Sequence, residues 1–335
     1  MSFLIKKKQS ISSLLEYADN SSFISWDMEP EMRNFNNLPE VKYRNHFVDQ
    51  KFNEGLNEIL KIYIKITLTE LENLISNSLK FLGLSQFHGY GVELGSGTGA
   101  FASMFCKLNP SVKKIFAVEI CDRFPKTIIP EVSKKVLNTN FNKVLPILGS
   151  FNNLMIKNNE LDFIIEMGSL HHSNNLSKSF SEISRTLKSK GKLLAFDRCH
   201  SNTLSDEKVK EMLDLEYDNN FLVSHGYPSN IKLTRRQNGE HEYRLFEWRK
   251  ASEDAGMKLV RIFSTKKIHL KRFVKGILSL FPDRFTKKFY KTHDSDLKTS
   301  IDFLRNKLNV ISNKNSLDTV LIGEKDFTVF LWEKI

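Results

Sequence analysis

The sequence predicts an α/β protein with a doubly wound, mostly parallel sheet of seven strands. From about residue 85 onward, short apolar runs alternate with segments in which apolar residues recur at steps of three and four. A glycine-rich turn also follows the first of these runs, at 95–99. Strands that alternate with helices of about 10 to 15 residues are typical of right-handed βαβ units, which place helices on both faces of a parallel sheet.

Seven apolar runs predict the strands of this sheet. Five of them are expected to be parallel, at residues 90–94, 115–118, 144–148, 161–167 and 193–196. Two more follow a helical segment that begins near Leu245, at 259–263 and 327–332. The last residues of the sequence are therefore expected to complete the sheet.

The same patterns divide the chain into four parts. Residues 1–84 are predicted to form a helical cap, because apolar residues recur with helical spacing over about 52–82 and Gly83 is suited to end a helix. The core is predicted at 85–264, with an insertion at about 198–241 on the ligand-binding side of the sheet. A basic amphipathic insertion follows at 265–317, and 318–335 supplies the final strand.

Composition excludes several classes of protein. The 335 residues are 40% hydrophobic and 27% charged, which suits a folded chain with a sizeable core. The three cysteines lie far apart with no metal-ligand spacing, which argues against a disulfide framework and a zinc site. No apolar stretch reaches the ~18 residues of a membrane span, and the first residues lack the pattern of a signal peptide, so a cytoplasmic location is expected.

The segment Val92-Glu93-Leu94-Gly95-Ser96-Gly97-Thr98-Gly99 carries the strongest functional signal. Glycines at this spacing between a strand and a helix let the backbone approach a ligand closely. The GxGxG spacing differs from the GxGxxG that binds dinucleotide phosphates. The acidic Glu93 would also repel a pyrophosphate, whereas it would suit a cationic amino acid group. A dehydrogenase remains the alternative for this turn.

A second acid, Glu119, ends the second predicted strand. A carboxylate at this place can accept hydrogen bonds from both hydroxyls of a ribose. Together with the glycine turn upstream, Glu119 predicts a nucleoside-binding site.

Residues 85–264 resemble the class I S-adenosylmethionine-dependent methyltransferases, which have a Rossmann-like fold. The resemblance rests on VELGSGTG at 92–99, AVEI at 117–120, Gly149-Ser150 and MGSLHH at 167–172. It implies that the glycine turn holds the methionine end of the cofactor, that Glu119 holds the ribose, and that Ser150 and Phe151 lie at the adenine. The cofactor site expected from the resemblance comprises Glu93, Gly95, Ser96, Gly97, Gly99, Glu119, Ile120, Ser150, Phe151 and Met167.

Candidates for a base that accepts a proton lie where the later strands end. His171 and His172 follow the fourth strand, and Asp197 follows the fifth. His241 lies in a polar cluster at 238–244 that precedes a predicted helix. Histidine suits this role because its pKa lies near neutral. No ligand cluster in the sequence is sufficient to predict a metal.

The net charge of +11 is concentrated in one segment, since residues 265–291 hold nine Lys or Arg and one acid. The interleaved apolar and basic residues at 266–291 favour either a lid or a helix that binds an anionic membrane surface at its inner face. Nucleic acid is disfavoured, because no recognised binding module accompanies the charge. The expected reaction is O-methylation of a small molecule or a glycan, including one carried on a lipid. The alternatives are a nucleic-acid methyltransferase and a non-catalytic adapter that binds the cofactor.

Overall fold

A computed structural model describes residues 3–19, 23–30, 32–200, 202, 204–264 and 327–335. Within these ranges the chain forms one nine-stranded sheet of order β1-β2-β5-β4-β3-β6-β7-β9-β8. The strands are β1 (Phe3–Ile5), β2 (Ile24–Trp26), β3 (Gly89–Leu94), β4 (Val112–Glu119), β5 (Val144–Leu148), β6 (Leu161–Met167), β7 (Leu187–Asp197), β8 (Met257–Ser264) and β9 (Thr328–Lys334). β9 runs antiparallel to both of its neighbours, and the other pairings are parallel.

The α/β fold class is confirmed, but the number of strands is corrected from seven to nine. The two additional strands come from the segment that was predicted to be a helical cap. β1 pairs with β2, and β2 pairs with β5 through Ile24 and Ile147. Each of these strands has only three residues, which is too short for a pattern of alternating hydrophobicity to be recognised.

Helices cover both faces of the sheet, as a doubly wound fold requires. The helices of the described residues are α1 (Ile11–Asp19), α2 (Pro39–Glu54), α3 (Leu56–Tyr63), α4 (Leu68–Leu82), α5 (Ala100–Leu108), α6 (Ile129–Leu137), α7 (Leu176–Thr186), α8 (Asp206–Asp214), α9 (Asn219–Ser224) and α10 (Leu245–Asp254). Helices α2 to α6 share one hydrophobic core, and α1, α7 and α10 share the other. Along β4, Ala117 faces the first core while Phe116 and Val118 face the second.

The helical pattern at 52–82 is present, but it is divided between three helices. Gly55 has a φ of 130° and separates α2 from α3. Thr67 then begins α4 with a capping box, in which its hydroxyl accepts from the N–H of Glu70 and Glu70 accepts from its N–H. Gly83 ends α4 in the left-handed conformation, as its position in the sequence predicts.

The insertion at about 198–241 contains α8 and α9, and its two ends are hydrogen-bonded to each other. The N–H of His200 donates to the carbonyl of Tyr243, and the N–H of Leu245 donates to the carbonyl of His200. The basic insertion predicted at 265–317 lies outside the described residues. None of the helices within the described ranges has both the length and the apolar character needed to cross a bilayer.

Candidate active site

A cavity of about 830 Å³ opens where the parallel strands β3, β4, β5, β6 and β7 end. Its walls combine the turns that follow these strands with parts of α2 and α3 and with the insertion near 227–241. Ligands of open α/β sheets bind at this edge, because the turns that follow parallel strands meet there. The cavity therefore brings most of the predicted cofactor residues together with His171, His172 and His241, and Asp197 reaches it through its hydrogen bond to His171.

The turn after β3 needs glycine for two reasons. Gly95 has a φ of +62°, which side chains other than glycine rarely adopt. A Cβ added at Gly95 would also lie 2.5 Å from the Cβ of Ser169, which follows β6. The turns after β3 and β6 consequently pack against each other without space for a methyl group.

Glu119 is bonded to the glycine turn directly. Its Oε2 accepts from the N–H of Gly97 at 2.8 Å, and its Oε1 accepts from the N–H of Cys121 at 2.9 Å. Burial raises the pKa of Glu119, although the hydrogen bonds from Cys121 and Gly97 and the charge of Arg44 oppose this rise. Since a carboxylate oxygen can accept more than one hydrogen bond, both oxygens can still accept from a ribose.

Glu93 lies in the wall of the cavity and is only 1% exposed. Its Oε2 has no hydrogen-bond partner among the described residues. Burial raises the pKa of Glu93 to about 8, because no positive charge of the described residues offsets the loss of water around the carboxylate. A cationic amino group placed beside it would supply that charge.

Most of the remaining predicted cofactor residues also line the cavity, namely Ser96, Gly97, Ile120, Ser150, Phe151 and Met167. Gly99 does not: it precedes α5, and a Cβ added to it would lie 2.8 Å from Cγ2 of Ile129. Ser96 is fixed by its own N–H, which donates to the carbonyl of Val118 at 2.9 Å. Ser150 accepts from the N–H of Asn152 at 3.2 Å, which orients the turn after β5. Ile120 accepts from the side chain of Asn36 at 2.8 Å, and this bond attaches the N-terminal segment to the turn after β4.

His171 and Asp197 form a buried pair in which the carboxylate holds the imidazole at two places. Nδ1 of His171 donates to Oδ1 of Asp197 at 2.5 Å, and the N–H of His171 donates to Oδ2 at 2.9 Å. Asp197 is fully buried, and burial alone would raise its pKa. The charge and hydrogen bonds of His171 and the N–H of Arg198 outweigh burial and lower the pKa of Asp197. These two hydrogen bonds fix the ring of His171 and leave Nε2 as the ring nitrogen that is not bonded to Asp197.

Glu240 and His172 lie next to this pair in the cavity wall. Oε2 of Glu240 is 3.6 Å from Nε2 of His171, and Glu240 also forms an ion pair with Arg198. Burial opposes ionisation of Glu240, but Arg198 and the two histidines lower its pKa to about 2. Burial and the neighbouring His171 lower the pKa of His172 to about 4, so this imidazole is neutral near pH 7.

One atom from each of His171, His172 and Glu240 lies within 4.8 Å of the others, a spacing that could hold a divalent cation. His172 is oriented for such a role, because its Nδ1 lies 3.0 Å from the carbonyl of Gly239. Sequence analysis did not predict this group, because Glu240 is far from the two histidines along the chain.

His241, the other predicted base, also reaches the cavity. Its ring stacks on Tyr243 with an interplanar angle of 7°. Burial lowers the pKa of His241, and no described residue hydrogen-bonds to its Nδ1. His200 points elsewhere, because it pairs with the buried Glu242.

The sequence of this part of the chain matches a known family. Residues 92–195 match the family described as a methyltransferase domain, and this range contains the glycine turn, Glu119 and the His171-His172 pair. The chain is an S-adenosylmethionine-dependent methyltransferase. A search of curated protein sequences finds no significant match.

Solved structures of other methyltransferases resemble this methyltransferase in fold. A candidate sarcosine dimethylglycine methyltransferase from Galdieria sulphuraria is 18% identical, with a TM-score of 0.48 over 78% of this chain and 84% of that one. A geranyl diphosphate methyltransferase in complex with S-adenosylmethionine is 9% identical, with a TM-score of 0.47 over 84% and 90%. Phosphoethanolamine N-methyltransferase 2 from Haemonchus contortus is 16% identical, with a TM-score of 0.43 over 78% and 52%.

The site of this methyltransferase suits S-adenosylmethionine in its charge and its shape. The buried Oε2 of Glu93, which has no partner among the described residues, could accept from an ammonium group. Gly95 leaves no space for a side chain beside Ser169, so the backbone itself forms the wall of the cavity. Glu119 lies at the end of β4, where its carboxylate could also accept from a ribose.

Several residues of the cavity were not found by sequence analysis. Arg44 from α2, Tyr63 from α3 and Tyr227 from the insertion all line it. They belong to no motif and come from segments that are distant along the chain. Only the tertiary structure brings them together.

Proposed function

We propose that the methyltransferase acts on a hydroxyl oxygen of a small molecule or a glycan, and that His171 accepts the proton of this hydroxyl. The observation that carries the proposal is the pair of hydrogen bonds by which Asp197 fixes His171, with 2.5 Å between Nδ1 and Oδ1. A carboxylate that accepts from Nδ1 leaves Nε2 as the proton acceptor and stabilises the imidazolium that forms.

The residues around His171 support this role. S-adenosylmethionine, when bound, supplies a methyl group on a positively charged sulfur. During transfer of this methyl group to the acceptor oxygen, the hydroxyl proton would move to Nε2 of His171. The positive charge that the imidazole would gain lies between Asp197 and Glu240, two carboxylates whose pKa values are lowered.

The other histidines are less suited to be the base. A pKa of about 4 makes His172 a weak proton acceptor near neutral pH. His241 has no carboxylate hydrogen-bonded to its ring among the described residues, and burial lowers its pKa as well. These two rings can shape the acceptor pocket beside His171.

The test begins with the acceptor, because its identity sets the assay. A pool of hydroxylated small molecules and glycans, incubated with S-adenosylmethionine, is screened by mass spectrometry for a product heavier by one methylene. Nuclear magnetic resonance of the product then identifies the methylated atom. An O-methyl signal is expected, whereas a methyl group on nitrogen or carbon would overturn the choice of oxygen.

Variants then test the base. Replacement of His171 by Ala or of Asp197 by Asn is expected to lower kcat by about 10²- to 10⁴-fold, the range for loss of a positioned base. Affinity for S-adenosylhomocysteine should be retained in both variants. The matched control is His172→Asn, which removes the neighbouring ring and should have a smaller effect on kcat. Full activity of His171→Ala would exclude His171 as the base.

An acceptor carried on a lipid is an extension of this proposal. It rests on the interleaved basic and apolar residues at 266–291, which lie outside the described residues. Sedimentation of the full chain with liposomes that contain anionic lipid is expected to deplete the supernatant. An equal soluble fraction with and without vesicles would overturn the extension.

A further inference from the structure

The cavity contains the guanidinium group of Arg44, for which the described residues supply no hydrogen-bonded carboxylate. Arg44 belongs to α2 and lines the cavity in a half-buried position. It forms no ion pair and no hydrogen bond with the residues that the structure describes. Its charge acts mainly on Tyr227 of the insertion, Tyr63 of α3, and Cys121 and Glu119 at the end of β4. Burial disfavours the charged guanidinium, but the surrounding groups, Glu119 among them, outweigh burial and raise the pKa of Arg44, so the group stays charged although no carboxylate of the described residues bonds to it.

A second cation, Lys65, lines the same part of the cavity. Lys65 lies in the turn between α3 and α4 with a φ of 57°, which is uncommon for a residue other than glycine. It forms no ion pair within the described ranges. The pKa of His225 is lowered first by burial and then by the charges of Lys65 and Arg44, so these two cations lie close to the same imidazole.

The acids of the cavity are already engaged elsewhere. Glu240 pairs with Arg198, and Glu119 accepts from the N–H groups of Gly97 and Cys121. Glu93 is suited to the amino group of the cofactor. The only charged side chain that affects its pKa among the described residues is Glu119, which is also an acid. An ammonium bound at Glu93 would leave the charges of Arg44 and Lys65 unbalanced.

We propose that the methyl acceptor carries an anionic group, a carboxylate or a phosphate, which Arg44 binds with the help of Lys65. This inference rests on the proposed function and names the class of acceptor. The position of Arg44 favours the acceptor over the cofactor, because Tyr227 of the insertion and Tyr63 of α3, which line the cavity with it, interact with its charge more strongly than Glu119 does. A guanidinium binds either anion with two parallel hydrogen bonds, and Tyr63 and Tyr227 add hydroxyl groups to the same pocket.

Binding of unreactive probes tests the inference. The full chain, saturated with S-adenosylhomocysteine, is titrated by calorimetry with two pairs of compounds: benzoate and benzamide, and phenyl phosphate and phenol. The anionic member of at least one pair is expected to bind about 10- to 100-fold more tightly, as a charge-assisted hydrogen bond implies. The pair that shows the larger preference distinguishes a carboxylate acceptor from a phosphate acceptor. Equal binding within both pairs overturns the inference.

Variants of Arg44 assign this preference to one side chain. Arg44→Met is expected to abolish the preference for the anion, whereas Arg44→Lys, which keeps the charge, should retain part of it. Lys42→Met is the matched control, since Lys42 is an exposed cation on the same helix. The folded fraction of each variant is checked by thermal unfolding. An unchanged preference in Arg44→Met would contradict the inference.

The carboxylate of the cofactor is the competing anion. S-adenosylhomocysteine carries this carboxylate, and 5′-methylthioadenosine does not. If Arg44→Met weakens binding of the first compound but leaves that of the second unchanged, Arg44 binds the cofactor and the inference is overturned. Methyl transfer is not needed in these measurements, so their outcome is independent of whether His171 is the base.

Discussion

The N–H of Gly97 donates to Oε2 of Glu119 at 2.8 Å, which joins the glycine turn after β3 to the acid at the end of β4. The two strongest motifs of the sequence are therefore parts of one hydrogen-bonded unit. Their separation along the chain is the length needed for α5 to return to the sheet between them.

Replacement of Glu119 by Ala should weaken binding of S-adenosylhomocysteine by roughly 1–3 kcal/mol, because the hydrogen bonds to the ribose are lost and the N–H of Gly97 loses its partner. Isothermal titration calorimetry measures this change. Glu131→Ala is a suitable control, since Glu131 is an acid on α6 that pairs only with Lys134 among the described residues. An unchanged affinity in Glu119→Ala would remove Glu119 from the cofactor site.

Binding of the cofactor should release a proton from Glu93. Burial raises the pKa of this carboxyl group to about 8, so it is mostly protonated in the free protein at a pH of about 6.5. An ammonium group bound beside it favours the carboxylate, which lowers the pKa and sends the proton to the solvent. Calorimetry in two buffers with different ionisation enthalpies counts the protons released. The release should disappear in Glu93→Gln, and its persistence there would assign the proton to another group.

Gly95→Ala should destabilise the fold and weaken cofactor binding. The added methyl group would lie 2.5 Å from the Cβ of Ser169, in a backbone conformation with a φ of +62°. A useful control is Gly83→Ala, where φ is +68° but no atom lies within 4 Å of the added Cβ. Both variants should lose about 1–2 kcal/mol of unfolding free energy from the backbone conformation, and Gly95→Ala should lose more because of the clash. Urea denaturation compares the two, and equal losses would refute the contact with Ser169.

Trp26→Ala should affect both stability and the adenine end of the site. Trp26 is buried in β2, and a Cβ added at Gly149 would lie 3.1 Å from its Cβ, so this side chain supports the turn that holds Ser150. Loss of a buried Trp is expected to cost about 3–5 kcal/mol of unfolding free energy. Trp332→Ala should cost a similar amount while it spares cofactor affinity, because Trp332 lies in β9 away from the cavity. Equal cofactor affinity in the two variants would show that β2 plays no part in the site.

Added Zn²⁺ should inhibit methyl transfer reversibly. His171, His172 and Glu240 can bind the ion together, and a metal on Nε2 of His171 would prevent it from accepting a proton. Activity should return when EDTA is added, and His172→Asn should need more Zn²⁺ for the same inhibition. If EDTA alone abolished activity and a divalent metal restored it, the three residues would instead hold a catalytic metal.

The sequence was informative wherever a pattern was long or a motif was local. The runs at 144–148 and 161–167 correspond to β5 and β6 with the same bounds, because fully buried parallel strands are apolar throughout. The three-residue strands β1 and β2 carry no such pattern, and their place beside β5 is decided by packing against residues far along the chain.

The candidate site could likewise be predicted only where it is formed by residues that follow the predicted strands. The residues that follow β3, β4, β5 and β6 could be predicted to meet, because parallel strands place their ends at one edge. His171 and Asp197 could be expected to lie close together, because they follow the neighbouring strands β6 and β7. The hydrogen bond between Nδ1 and Oδ1 could not be predicted in this way. Arg44 could not be found in this way, because it reaches the cavity from a helix that precedes the sheet's central strands.

The position of β9 between β7 and β8 has a consequence for biosynthesis. Both neighbours leave the ribosome before β9 does, and until Thr328–Lys334 has emerged each of them has an unpaired edge. Open edges pair readily with other chains, so a nascent or truncated polypeptide that lacks these seven residues is a substrate for chaperones or for aggregation. The gap between β7 and β8 therefore closes only after β9 has been synthesised.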